Sequence, residues 1–283
     1  MKKLLLISPM GKAGLVGKDF NFRLPCLGLL RIAALTPTHW QVVIADEKVE
    51  TLDLAQDADL VGITAMTATV NRAYEIADHF RHRGIKVVMG GMHVSSLPDE
   101  ALRHADTVVI GEAEGLWPAV LDDFERGQLK AVYRLRSGFP VLNHLPVPNW
   151  TLYRQKPYLP VHFVETTRGC PLDCEFCAVT NAFGGRYRNR PCDDVIEELR
   201  SLQPFKGVLT LKNCVFFVDD NIISNRAYAR ELLTGISDLN LKWFSHASMN
   251  IANVHRSVGE GWMGAERKPS TGARHDERRH GPW

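Results

Sequence analysis

The 283-residue sequence has no apolar run long enough to cross a bilayer as a helix, so no transmembrane segment is expected. It has little net charge, +2 at pH 7, too small an imbalance to point to a specific nucleic-acid partner. It lacks cysteines spaced as a disulfide framework. Three of its six cysteines are clustered instead, which argues for a reducing compartment and a cytoplasmic location. No Gly-x-Gly-x-x-Gly follows an apolar strand, and the fingerprint of a nicotinamide site is therefore missing. A cleavable leader is not evident either. Leu4–Ile7 follows Met1-Lys2-Lys3, but Ser8-Pro9 ends the run too early, and a first buried strand is the better reading. What remains is ordinary globular composition, 45% hydrophobic and 23% charged, over a length that fits two domains.

The most informative stretch is Glu165-Thr166-Thr167-Arg168-Gly169-Cys170-Pro171-Leu172-Asp173-Cys174-Glu175-Phe176-Cys177, which follows the apolar run Val161–Val164. Its three thiols stand at Cys170, Cys174 and Cys177, with no fourth soft ligand at matching spacing. A closed structural zinc site uses four protein ligands. A cubane iron–sulfur cluster also has four positions, so three cysteines leave one iron open to a small molecule. The remaining cysteines, Cys26, Cys192 and Cys214, have no partner spacing and read as packing residues.

The Cys-x3-Cys-x2-Cys arrangement, with Phe176 before the last cysteine, resembles the signature of the radical S-adenosylmethionine (SAM) enzymes. The resemblance implies a [4Fe-4S] cluster on Cys170, Cys174 and Cys177, with Phe176 near the adenine. In that family SAM chelates the unique iron, and an electron from the cluster cleaves it to a 5′-deoxyadenosyl radical. A zinc knuckle, or a chance trio of buried thiols, is the other reading of the same residues.

The first half alternates apolar runs with helical patterns. Lys3–Ile7, Val42–Ala45, Leu60–Ile63, Ile85–Met89 and Thr107–Ile110 read as five parallel strands covered on both faces. Helices are expected over Leu27–Leu35, Ala68–Arg83, Asp99–His104 and Leu116–Arg126, the second stopped by Gly84 and the last opened by Pro118. The fold class is α/β, a doubly wound Rossmann-like domain over residues 1–134, with ligands expected at the carboxyl ends of the strands. Ser8, Gly90-Gly91-Met92-His93 and Gly111-Glu112 lie at such ends.

With the cysteines downstream, this half resembles the cobalamin-binding domain that precedes the radical module in one branch of the family. Gly90–His93 and Ile110–Glu114 carry the likeness, which implies cobalamin contacts at Ser8, Gly90, Gly91, His93, Gly111 and Glu112. The Asp-x-His-x-x-Gly of such domains is absent after the first strand, where Ser8-Pro9-Met10-Gly11-Lys12 stands. Any corrinoid is then bound without histidine ligation, or the domain keeps the fold and binds none.

Residues 135–160 are punctuated by Pro140, Pro146, Pro148, Pro157 and Pro160 and contain Leu142, Leu145, Trp150 and Tyr153, which predicts an ordered strap. Residues 161–253 read as β-α-β-α-β of a partial TIM-like (βα) barrel, with Asp193 and Asn225 as helix caps. Asp219-Asp220-Asn221 stands where many family members touch the SAM amino group, which implies SAM contacts at Asp219 and Asp220. A capping turn is the equal alternative. Arg186 and Arg188 suit a carboxylate or phosphate, although solvated loop arginines are commoner. From about Asn253 the sequence turns rich in glycine and arginine and poor in aliphatics, so 254–283 is expected to be disordered, as a shifted reading frame would produce. A half barrel would leave an unpaired edge prone to aggregation.

The resemblance implies an enzyme that cleaves SAM reductively for cobalamin-dependent methyl transfer or radical rearrangement. Its partners would be a small-molecule substrate and an electron donor such as flavodoxin or ferredoxin. The alternative is an inactive fragment that at most binds a cluster or a corrinoid.

Overall fold

Strand β1 (Lys2–Ser8) sends Leu4 and Leu6 to one face and Leu5 and Ile7 to the other, and all four are buried. A strand apolar on both sides needs cover on both. The computed structural model describes residues 1–11, 23–136, 138–153, 155–172, 174–202 and 214–248. The expected tail at 254–283 lies outside them. Helix α1 (Leu27–Leu35) leads to β2 (Trp40–Asp46) and β3 (Leu60–Thr64). Then come α2 (Val70–His82), β4 (Lys86–Gly90), α3 (Met92–Ser96), α4 (Pro98–Ala101), β5 (Thr107–Ile110), α5 (Trp117–Glu125) and β6 (Val132–Arg134).

The strands form one parallel sheet of order β2-β1-β3-β4-β5-β6. On one face, Val70, Ala73, Tyr74, Ile76, Ala77 and Phe80 of α2 pack on Leu5, Ile7, Val61, Ile63, Val87 and Met89. On the other, Leu29 and Leu30 of α1 and Trp117, Val120 and Leu121 of α5 cover Leu4, Leu6, Leu60, Val88 and Val109. This is the doubly wound arrangement expected, with one strand more. The sixth, Val132–Arg134, buries only Tyr133 and has no apolar run to announce it. The helix expected over Asp99–His104 is instead the single turn α4, which ends at Ala101 and is preceded by a second short helix, α3. Pro98 begins α4, and a proline disfavours helical backbone in the residue before it.

The second half contains β7 (Val161–Val164), β8 (Thr167–Arg168), α6 (Val179–Phe183), β9 (Arg188–Asn189), α7 (Cys192–Ser201), β10 (Cys214–Phe217), α8 (Arg226–Gly235) and β11 (Lys242–Ser245). β11, β10 and β7 form a parallel sheet in that order, and β8 and β9 an antiparallel ribbon. Asn225 caps α8 as expected, its Oδ1 accepting from the Tyr228 N–H. Asp193 does not cap α7. The helix starts one residue earlier, after Pro191, and Asp193 sits in its first turn, where a negative charge still suits the helix dipole.

Residues 135–160 run against both sheets' elements. Tyr158 donates to Asp46 at the end of β2, Tyr153 donates to the Cys26 carbonyl, and Lys156 pairs with Glu50. On the other side, the His144 N–H donates to Asp194 of α7 at 2.6 Å. Residues Met1–Ser248 thus make one unit. Among the described residues no helix is long and apolar enough to cross a membrane.

Three buried charges also join the halves. Glu198 of α7, fully buried, lies 2.7 Å from Arg190 and 3.6 Å from Arg31 of α1, and Arg31 donates to the Pro146 carbonyl at 2.6 Å. Removing one member of a buried ion cluster strands the others. Glu198→Ala is expected to lower unfolding free energy by about 3–5 kcal/mol, read as a fall in the urea midpoint of the full chain.

Candidate functional site

The site is built from the two places where strands end. In the first sheet, the strand order reverses between β1 and β3, so the crevice rule puts a ligand outside their carboxyl ends. Ser8 closes β1 and is buried, and Met66, just past β3, is 60% exposed. Gly90 closes β4, and its carbonyl accepts from the Ala65 N–H. Gly91 has φ +100°, and a Cβ there would stand 2.6 Å from the Ala65 carbonyl, so only glycine fits. Its crowding is against the protein's own backbone. His93 is buried, with Nδ1 3.2 Å from Thr67 Oγ1 and Nε2 3.3 Å from Glu100. Gly111 follows β5, and a Cβ there would meet nothing within 4 Å.

In the second sheet the cysteine loop leaves the end of β7 through a tightly held root. Asp219, just after β10 and 1% exposed, accepts from the backbone N–H and the hydroxyl of both Thr166 and Thr167. Tyr228 of α8 donates to the Thr166 carbonyl, which also accepts from the Arg190 N–H. Burial pushes the Asp219 carboxyl up to about 6, against the pull of its threonine hydrogen bonds. Gly169 has φ +85°, and a Cβ there would lie 2.3 Å from the Arg186 carbonyl. The loop therefore has to begin with glycine at this point. Cys170 then donates its N–H to the Gly184 carbonyl.

The two ends are linked by charge. Arg168 of β8 donates to Glu112 and Glu114 at 2.5 Å each and to Glu165 at 2.7 Å. Arg188 of β9 donates to both oxygens of Glu112 and to the carbonyls of Pro140 and Phe183. Burial opposes the charge on Arg168, but the Glu165 and Glu114 carboxylates outweigh it and raise its pKa further above the usual arginine value. Burial likewise pushes Glu114 up, and Arg168 reverses this and holds it below the usual carboxylate range. Arg188 is thus no solvated loop arginine. Nothing local in the sequence marks Arg168, Glu114, Glu165 or Arg188 as partners.

The three cysteines share the loop but differ in setting. Cys170 is buried, its sulfur 3.8 Å from the Tyr187 hydroxyl, Cys174 is exposed and Cys177 is half-buried. The Cys177 N–H donates to the Cys174 carbonyl, a tight turn. Among the described residues no three His, Cys, Asp or Glu side chains are gathered to hold a metal. In kind, three thiols on one short loop still suit an iron–sulfur cluster, whose binding would draw them together. Such gathering on metal uptake is usual for metal sites. At the carboxyl edge of the first sheet, Gly111 leaves open space beside its backbone, which is compatible with a bulky ligand such as a corrinoid. Among the described residues this edge supplies no free histidine to ligate one, because both ring nitrogens of His93 have partners. Phe176 is 93% exposed, and Asp220 is exposed beside the buried Asp219.

Residues 15–121 match the B12 binding domain family. The chain carries an N-terminal B12-binding domain fused to a radical-SAM-like βα fold, the arrangement of known cobalamin-dependent radical SAM enzymes. It is 31% identical over 256 residues to bacteriochlorophyllide d C-12(1)-methyltransferase of Chlorobaculum tepidum, covering 88% of this chain and 55% of that protein. The chain thus spans about half the length of that relative. Its fold matches the radical SAM methyltransferase TsrM of Kitasatospora setae, solved with cobalamin and a [4Fe-4S] cluster (TM-score 0.61, 20% identity, 84% of this chain and 52% of that one). It also matches the cobalamin-dependent SAM radical enzyme OxsB, solved with aqua-cobalamin and SAM (TM-score 0.64, 16% identity, 86% of this chain and 38% of that one).

Asp219 yields a signed pH prediction. Its folded pKa lies above the ordinary 3.8, so the stability it contributes is fullest below that value and is lost as pH rises through about 6. The stability of wild type minus that of Asp219→Asn should fall by up to about 3 kcal/mol between roughly pH 4 and 7. Paired denaturant titrations across that range provide the check, and a flat difference would refute it.

Proposed function

We propose that this protein is a cobalamin-dependent radical SAM enzyme, most simply a methyltransferase, with radical rearrangement as the other outcome of the same cofactors. The observation that carries the reading is the position of the thiol loop: it leaves the end of β7, and both its ends are tied through Arg168 and Arg188 to Glu112, beside the open edge at Gly111. Cys170, Cys174 and Cys177 would hold a [4Fe-4S] cluster, and Ser8, Gly90, Gly91 and Gly111 would border the corrinoid. When bound, the cluster supplies the electron that cleaves the SAM sulfonium, and the corrinoid carries the methyl group.

The chain's own residues bind and orient. Phe176, almost fully exposed, offers a ring face for adenine. Asp220 offers an exposed carboxylate to the SAM ammonium. Partial desolvation raises its pKa, with His246 opposing this and Glu165 adding to it. Asp219 fixes the loop root through Oδ1, which takes the Thr166 and Thr167 donors, while Oδ2 takes only the Thr166 N–H at 3.3 Å and is the oxygen left for a SAM contact. A small-molecule methyl acceptor, an electron donor such as flavodoxin or ferredoxin, and a reducing cytoplasm complete the reading. The relative's name supports methyl transfer over rearrangement.

Anaerobic reconstitution with iron and sulfide is expected to load about four irons per chain and to convert SAM to 5′-deoxyadenosine under a strong reductant. Cys170→Ala, Cys174→Ala and Cys177→Ala should each abolish cleavage and lower iron content. A cluster without cleavage would identify a binding module, and one bound zinc without iron a structural site.

A further inference from the structure

The ribbon at the foot of the cysteine loop has an unfavourable feature of its own. β8 and β9 contribute two residues each, and their register places Arg168 directly opposite Arg188. Like charges facing each other across an antiparallel pair are destabilising, and an isolated two-stranded ribbon is marginal even without them. Yet these two pairs close the loop that holds Cys170, Cys174 and Cys177.

One carboxylate lies between the two guanidiniums. Glu112 Oε2 accepts from Nη1 of Arg168 at 2.5 Å and from Nη1 of Arg188 at 3.0 Å, and Oε1 accepts from Nη2 of Arg188. Its side chain is 3% exposed, so neither oxygen is left facing a ligand. Glu114 and Glu165 reach Arg168 alone. Arg188 has neutral partners besides, the carbonyls of Pro140 and Phe183 and the Phe139 ring 4.8 Å away, and none of these cancels its charge. Glu112 is thus the one carboxylate seen to bind both arginines among the described residues.

We propose that Glu112 is a positioning residue for the cysteine loop: a carboxylate of the first domain that neutralises the facing arginines at the loop's entry and exit and holds the loop closed at the carboxyl edge of the first sheet. It is not itself a corrinoid contact. Only the iron arm of the test rests on the reading of the cysteines as cluster ligands.

Hydrogen exchange on the full-length, metal-free chain tests it. In Glu112→Gln, peptides covering 167–172 and 183–190 should lose protection about ten- to hundredfold, the worth of hydrogen bonds to a charged group, while β1 and β3 keep theirs. Adding Arg188→Gln removes the repulsion, so the double variant should regain part of that protection. After anaerobic loading, iron per chain should fall in Glu112→Gln and partly recover in the double variant, and hydroxocobalamin affinity should stay within about twofold of wild type, as for a residue that makes no ligand contact. Unchanged exchange in Glu112→Gln overturns the proposal, as does a double variant more open than the single. Weakened hydroxocobalamin binding with a closed ribbon would return Glu112 to the ligand. If Glu112→Gln loses protection in β1 and β3 as well, Glu112→Asp decides. An open ribbon on an intact first sheet supports the proposal, and uniform loss refutes it. Wild type that takes up no iron while the exchange results hold would sink the cluster reading and leave Glu112 as the loop's anchor.

Discussion

Charges removed from water must find partners, and this constraint fixes how the halves of the molecule meet. A lone buried carboxylate or guanidinium costs several kcal/mol, so such groups are tolerated only where opposite charge arrives from elsewhere in the chain. Here it arrives from the other half. Arg31 on α1 meets Glu198 on α7, and Glu112 and Glu114 after β5 meet Arg168 and Arg188 beside the cysteine loop. Apolar contact alone would let two surfaces slide. Directional pairs with little solvent around them specify a single docking.

The same constraint explains why acids placed by sequence near a ligand turn out to face inward. Asp219 and Glu112 both stand at strand ends, where ligands of such sheets bind, and both are buried, Glu112 with both oxygens and Asp219 with Oδ1 occupied by protein donors. Asp220 next door is exposed. In a run of adjacent acids, then, alternation along the chain divides the work: one carboxylate builds the platform and its neighbour remains available to solvent.

Much of the fold was legible because burial leaves periodic traces. Val70, Ala73, Ala77 and Phe80 mark α2, with Gly84 at φ +77° as its stop, and Leu4–Ile7 marks a strand covered on both faces. Features made by distant partners left no such trace. Val132-Tyr133-Arg134 becomes a strand only because β5 offers it an edge. Arg190 is 1% exposed, yet nothing beside it in the sequence separates it from Arg186. The loop bearing Cys170, Cys174 and Cys177 was evident from spacing. What holds its root, a carboxylate 53 residues further on, was not.

The buried triad of Arg31, Glu198 and Arg190 also sets how the molecule answers to ionic strength. Mobile ions reach exposed pairs such as Arg126–Asp122, and at 1 M salt the screening length shrinks to about 3 Å. They cannot enter around side chains with at most 3% of their surface in water. Brine would therefore slacken the outer charge pairs of the first domain while leaving the join between the two halves shut.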